Sequence, residues 1–465
     1  MVKNLQKRLR DSAGARWMVL ILISLTMMFG YYLTDVLSPL KTLLETENGW
    51  SSTDFGFFRS SYGWLNIFAL MLILGGIILD KLGARLTGLM STILMILGVA
   101  LKYYAISTTF PEGSTLFGHS MQVGLACIGY AIYAVGVEIA GITATRIIVK
   151  WFKGKEMALA MGVQVALARV GTFFAMVLPI PIAIHFGSEL HPDIPAPVLL
   201  GLISLCIGLL SFLVFIVMDK KYDKEAEEDG MTVIVSEEDK FKISDIGKIL
   251  TNKGFWMIAL LCVLFYSAVF PFLAYAVDLV VNKFGMDPKI AGWIPSILPM
   301  GTLVFTPIFG AIYDKKGKGA TIMIIGTVML IFVHAMFSIP SLSSPLIAGI
   351  LVFILGIAFS LVPSAMWPSV PKIIPEQQLG TAYSLIFWIQ NWGLAGVPLL
   401  IGWVLDKYCK VDPALNNGAH YNYTIPMIIF TVFGLLALVI ALWLKKEDKT
   451  HNWNLEQPNM REESK

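Results

Sequence analysis

The stretch Gly76-Ile-Ile-Leu-Asp80-Lys81-Leu-Gly83-Ala-Arg85 returns 234 positions later as Gly310-Ala-Ile-Tyr-Asp314-Lys315-Lys-Gly317-Lys318. Each copy joins two long apolar runs, and the offset is about half of the 465 residues. A short basic loop would account for the Lys and Arg, but not for the same G-x-x-x-D-K-x-G spacing at matching places in two halves. The residue types suit one job. The first glycine lets helices approach closely, the aspartate caps a helix or pairs across the interface between halves, and the second glycine permits a tight turn. Asp80, Lys81, Gly83 and Arg85 in one copy, and Asp314, Lys315 and Gly317 in the other, are therefore expected to shape the turns and contacts where the two halves meet.

A transmembrane helix needs about 20 mostly apolar residues, and twelve runs in this chain meet that length. Spans 1 to 6 lie roughly at 17–40, 56–79, 86–106, 120–148, 157–182 and 196–218, and spans 7 to 12 roughly at 254–280, 290–313, 320–339, 346–370, 379–405 and 423–444. The longest polar stretch, rich in Lys and Glu, falls between spans 6 and 7 and divides the chain into two sets of six. The expected organisation is an N-terminal unit over 1–218, a linker over 219–253 with a short amphipathic piece around Ile243, Ile246 and Leu250, and a C-terminal unit over 254–465 that ends in a short tail. Composition agrees with this reading. Of the residues, 56% are apolar and 14% charged, against about 25% charged in a soluble protein, and mean hydropathy is +0.71. An ordinary soluble enzyme and a disordered chain are both excluded, and the bilayer is the expected surrounding.

The basic residues orient the spans. Of the 35 Lys and Arg, 27 lie in the two tails, at span ends and in loops on the same side, seven lie opposite (Lys41, Arg59, Lys102, Lys283, Lys289, Lys407, Lys410), and Arg169 falls inside a span. The positive-inside rule then places both termini in the cytoplasm. Span 1 is too long and, at Tyr31, Tyr32 and Asp35, too polar to be a cleaved signal peptide, so it is read as retained. Net charge is only +3, with no continuous basic stripe, which argues against a nucleic-acid partner. Cys127, Cys206, Cys262 and Cys409 have no metal-like spacing, and no Walker A, H-E-x-x-H or G-x-S-x-G pattern occurs, so neither a cofactor nor a catalytic site is expected.

The repeated loop and the two sets of six spans closely resemble the major facilitator superfamily across nearly the whole chain. The resemblance implies an all-α membrane protein of twelve transmembrane helices in two six-helix bundles, with a site between them near mid-membrane and alternating access by rocking of the halves. A narrower resemblance is carried by Phe270-Pro271-Phe272, Trp367-Pro368, the run Pro375-Glu376-Gln377-Gln378-Leu379-Gly380-Thr381-Ala382-Tyr383, and Ile389-Gln390-Asn391. These look like the major facilitator domain-containing protein 1 group, which contains lysosomal dipeptide transport. The chain departs from lysosomal members in lacking an acidic dileucine signal in its N-terminal tail, so a bacterial inner (plasma) membrane is expected in preference to a lysosomal one. The sequence identifies no accessory subunit.

Ionisable groups inside a membrane are costly and mark function. Glu138 in span 4 and Arg169 in span 5 each lie 15.5 positions from the centre of the turn between those spans. At 1.5 Å per residue both sit about 23 Å from that turn, at one depth near the middle of the bilayer. Two readings follow: a structural ion pair, or a bracket for a zwitterion, with Glu138 facing an ammonium and Arg169 holding a carboxylate. The resemblance favours the second, since dipeptide-transporting relatives carry an acidic residue and an arginine on these two helices. Tyr62, Tyr266, Trp367, Trp388, Gln390 and Asn391 are further candidates to line such a cavity. Asp35 either lines it, as a candidate for proton coupling, or faces outer solvent. Asp278 is read as solvated or as part of an outer gate, with Arg59 as its partner. His334 is read as a packed or lipid-side residue. The leading expectation is a dipeptide uniporter. Transport of organic anions or carboxylates, using Arg169 alone, and proton-coupled peptide symport are the alternatives.

Overall fold

The structure, a computed structural model, describes residues 9, 12–152, 155–228, 243–416 and 418–458. The turn at 153–154, the middle of the linker and most of the N-terminal tail lie outside the described residues. Among the described residues, eleven helices are each long and apolar enough to cross a bilayer. The twelfth span is span 2, which is built in pieces: Ser52–Ser60, a 3₁₀ turn at Ser61–Gly63, Trp64–Phe68, and the start of the helix Met71–Ser107. That last helix also contains all of span 3, because the chain reverses at Gly83.

The remaining spans form as the apolar runs dictate, with ends shifted by a few residues: Ala13–Asp35, Met121–Phe152, Met157–Val177 with Pro179–Phe186, and Pro195–Glu228 in the first half. In the second half they are Lys253–Phe284, Pro288–Ala291 with Trp293–Lys316, Gly319–Ser338, Pro345–Ile373, Leu379–Tyr408 and Thr424–His451. The amphipathic piece of the linker is a helix, Ile243–Leu250, with Ile249 buried. Large side chains such as Leu210, Val217 and Val439 stay exposed, as expected of helix faces that meet lipid rather than water.

The second glycine of each repeated loop does what its chemistry suggests. Gly83 has φ 74° and Gly317 has φ 68°, a region costly for any residue with a Cβ. The first glycine does not make the expected close approach, since a Cβ at Gly76 or Gly310 would meet nothing within 4 Å. Close approach between halves occurs on the opposite side of the bilayer. There a Cβ on Gly56 of span 2 would lie 2.6 Å from the Pro398 carbonyl oxygen of span 11, and one on Gly402 would collide with the Ser52 backbone.

Polar contacts reinforce that side. Lys41 and Thr42, in the helix Lys41–Asn48 that follows span 1, reach Asp278 of span 7 at 3.0 and 2.7 Å. The Thr53 amide and hydroxyl donate to Asp406 at 2.5 and 2.6 Å, and the Tyr421 hydroxyl donates to Glu45 at 3.2 Å. On the side of the termini, ion pairs such as Arg16 with Glu156, Arg146 with Asp80, Arg85 with Asp219, and Lys253 with Glu447 each stay within one half. The halves are thus clamped together on the face remote from the termini.

Candidate functional site

Between the halves lies a cavity of about 270 Å³, close to the lower end for small-molecule sites. From the N-terminal half it is lined by Tyr31 and Asp35 of span 1, Arg59 and Tyr62 of span 2, Tyr130 and Glu138 of span 4, and Arg169 and Thr172 of span 5. The C-terminal half contributes Tyr266, Phe270 and Pro271 of span 7, Trp367 of span 10, and Phe387, Gln390 and Asn391 of span 11.

Glu138 and Arg169 share this cavity without forming an ion pair. The Tyr62 hydroxyl donates to Glu138 Oε1 at 2.7 Å, and no carboxylate among the described residues is paired with Arg169. The guanidinium carbon instead lies 6.0 Å from the centre of the Tyr31 ring and 5.5 Å from that of Phe359, within the range of cation–π attraction. A separate cation and anion in one partly apolar cavity can hold the two ends of a zwitterion, each through charge-assisted hydrogen bonds.

The C-terminal wall is aromatic. The Trp367 indole donates to the Tyr266 hydroxyl at 3.2 Å and stacks on Phe387 at 4.9 Å between centroids. Pro371 has no N–H to give the Trp367 carbonyl four residues before it, and the Tyr383 hydroxyl donates to that carbonyl at 3.3 Å. Gln390 Oε1 accepts from the Cys262 thiol at 3.6 Å.

Not every residue expected here belongs to the cavity. Trp388 is absent from its lining. Its indole donates to the Ile67 carbonyl at 3.0 Å, beside the break in span 2 where Leu70 takes φ 52° and interrupts the helical ladder. Arg59 does not pair with Asp278. It bonds Asp35 at 2.9 Å and the Thr34 carbonyl at 2.7 Å, because the C-terminal end of span 1 offers a carboxylate and a helix-end carbonyl to one guanidinium. Asp278 is buried rather than solvated, and its carboxylate also accepts from Tyr423. Burial works to neutralise Lys41, yet Asp278 and Glu45 outweigh it and hold the ammonium above the ordinary lysine range. Lys102, counted from sequence as an outer-side charge, is fully buried and donates to the Leu33 carbonyl at 2.9 Å. His334 is packed between Phe272 and Phe430, with Nε2 2.9 Å from the Ala268 carbonyl.

In the repeated loops, Asp80 bonds Arg146 of span 4 at 3.1 Å within its own half, rather than across the interface, and Arg85 bonds Asp223 of span 6 at 2.5 Å. Lys81 and Lys315 are exposed. Gly317 is held against the chain's last described residues, Gln457 and Pro458. Sequence reasoning missed Tyr31, Tyr130, Thr172 and Phe387 as lining residues. For Thr172 a signal existed, since it follows Arg169 by three positions and so shares its helix face.

Comparison with known proteins supplies the family. A family model described as Major Facilitator Superfamily matches residues 20–398. The lysosomal dipeptide transporter MFSD1 of Bos taurus is 28% identical over 399 residues, covering 84% of this chain and 80% of its own. The Homo sapiens protein of that name is 27% identical over 398 residues, with the same shares. Among solved structures, a bacterial homolog of the human lysosomal transporter Spinster, in an inward-facing and unoccupied conformation, superposes with TM-score 0.69 at 15% identity over 94% of this chain and 98% of its own. A mutant form of the nucleoside transporter NupG gives 0.68 at 16% identity over 92% and 99%. Twelve spans in two six-helix bundles, a repeated loop and a cavity between the bundles therefore belong to a multi-pass membrane transporter, and the chain is a member of the major facilitator superfamily.

Proposed function

We propose that this transporter carries dipeptides by alternating access, as a uniporter. The observation that carries the reading is the separation of Glu138 from Arg169 across one cavity. Two opposite charges at one depth would close on each other if their role were structural, and here each keeps a face toward open space. An extended dipeptide separates its ammonium and carboxylate by about 6 to 7 Å, which suits a bracket of this kind. The resemblance to dipeptide transporters supports the same substrate class. Transport of simple organic anions is the weaker reading, because Glu138 would repel them. Uniport is supported by Asp35, whose carboxylate is already engaged by the Arg59 guanidinium of its own half at 2.9 Å.

The proposed setting is a bacterial inner membrane with both termini cytoplasmic. The clamped face is then the outer one, and this conformer opens to the cytoplasm. The test is a reconstituted liposome assay. Dipeptide should equilibrate and exchange with trapped dipeptide at zero proton gradient. Accumulation driven by an inward proton gradient, lost in Asp35→Asn while exchange persists, would replace uniport with symport. A thermal-shift screen in which carboxylates stabilise the protein and dipeptides do not would overturn the substrate class.

A further inference from the structure

Two side chains in the cavity wall each carry a buried polar atom with no partner. Thr172 is 2% exposed, and its hydroxyl makes no hydrogen bond. Several helical threonines elsewhere in the chain bond the carbonyl four residues before them, as Thr143 does to Ile139 at 2.8 Å and Thr327 to Met323 at 2.7 Å. Asn391 is 3% exposed. Its amide nitrogen donates to the Phe387 carbonyl at 2.9 Å, and because a carbonyl only accepts, that contact fixes which end of the side chain is which. Asn391 Oδ1, a pure acceptor, is left with no donor.

Both residues line the cavity, one from each half. Thr172 lies one turn beyond Arg169 on span 5. Asn391 lies twelve residues into span 11, and Arg169 twelve residues into span 5. Those two helices start from the same face of the bilayer, so Arg169 and Asn391 lie at a common depth of about 18 Å. Native proteins rarely bury unsatisfied polar atoms without a ligand, water or function to complete them. A trans peptide bond presents a carbonyl oxygen and an N–H on opposite edges of one plane, which matches a donor on one wall and an acceptor on the other.

We propose that Thr172 and Asn391 read the peptide bond of the substrate, Thr172 donating to its carbonyl oxygen and Asn391 Oδ1 accepting its N–H. The proposal rests on the dipeptide reading of the Glu138 and Arg169 site and sharpens it. The charged pair recognises the two ends, and this second pair rejects molecules with the same ends but no amide between them.

The test is titration of the purified full-length protein with alanyl-alanine, with its ester analogue alanyl-lactate, in which the N–H is replaced by oxygen, and with 5-aminopentanoate, which has both end charges and no amide. Wild type should bind the amide about tenfold more tightly than the ester, and 5-aminopentanoate more weakly still. Asn391→Leu should bring the amide-to-ester ratio close to one by weakening only the amide. Thr172→Val should weaken both about three- to tenfold and keep their ratio. Equal binding of amide and ester by wild type overturns the inference without any variant, and so does an unchanged ratio in Asn391→Leu. If alanyl-alanine fails to bind wild type, or binds Arg169→Ala as tightly, the dipeptide reading itself fails and takes this inference with it.

Discussion

Replacing Arg169 with Ala tests the bracket at its stronger end. The guanidinium stands in the cavity wall with no carboxylate partner among the described residues, so a substrate carboxylate would be its principal anionic contact. Truncating one side of a desolvated, hydrogen-bonded charge pair costs about 2 to 5 kcal/mol. At 1.4 kcal/mol per decade, affinity for a dipeptide should fall about 30- to 4,000-fold. Folding should survive, because no buried ion of the protein is orphaned when this side chain is removed. The sharper measurement uses two altered substrates, a dipeptide amidated at its C-terminus and one acetylated at its N-terminus, titrated by calorimetry against wild type, Arg169→Ala and Glu138→Gln. Wild type should discriminate strongly against both. Arg169→Ala should lose discrimination against the amidated peptide only, and Glu138→Gln against the acetylated peptide only. The Glu138 variant keeps a partner for the Tyr62 hydroxyl, so its effect reports charge rather than a broken hydrogen bond. Were Arg169→Ala to prefer the free acid over the amide by the wild-type factor, the carboxylate would be bound elsewhere and the assignment would be wrong.

Other consequences concern the clamp and the loops. Lys41→Met leaves the Asp278 and Glu45 carboxylates without their buried cation, so the clamped conformer should lose about 3 to 5 kcal/mol, read as a lower melting temperature. The double variant Lys41→Met, Asp278→Asn should recover part of that loss. Glu45 lies outside the spans, and burial raises its pKa despite the opposing pull of Lys41. Its contribution to the clamped conformer is therefore full below the ordinary glutamate value of about 4.3 and fades as pH rises through the raised one. Acidification across that window should raise the melting temperature, and Glu45→Gln should flatten the dependence. Asp80→Asn breaks a partly exposed pair with Arg146, worth at most about 1 kcal/mol. Melting should hardly move and substrate affinity should stay, while exchange in liposomes changes severalfold. Equal loss of binding in a conformation-locked protein would argue against a gating role.

The elements legible in the sequence were those set by one-dimensional quantities. Long apolar runs gave the spans, and counting from a shared turn singled out Glu138 and Arg169, which line one cavity, because helix rise converts residue number to distance. The repeat located both tight turns, since only the sequence position of Gly83 and Gly317 was needed. What escaped depends on which helices touch. Neither Ala69 nor Leu70 is a glycine or proline, so nothing local announced the break in span 2. It is accommodated by the Trp388 indole, 321 positions away in sequence. Arg59 was assigned the wrong carboxylate because charges were matched by depth alone, whereas the side chain crosses to the end of span 1. Lys102 lies on the side to which it is assigned, but its burial was not legible, because a lone lysine near the end of an apolar run looks the same whether it snorkels or is capped by a carbonyl.

Three cations share a location that bears on the proposed cycle. Lys41, Arg59 and Lys102 all lie on the clamped side, where two of them bond carbonyls at the end of span 1 and one bridges the halves to span 7. Rocking the halves apart on that face breaks the contacts of Lys41 with Asp278 and of Thr53 with Asp406. It leaves Arg59 and Lys102 in place, because their partners move with them in the same half. Span 1 therefore travels as one body with spans 2, 3 and 4, carrying Tyr31 and Asp35 past the aromatic wall of the other half. Closure on the terminal side needs room for helices to meet, and Gly76 and Gly310, where an added Cβ would meet nothing within 4 Å in this conformer, supply it at equivalent places in the two halves. The first glycine of the repeat is then understood through the state opposite to the one seen here. Substituting leucine at either position should leave this conformer intact and slow exchange by obstructing the other.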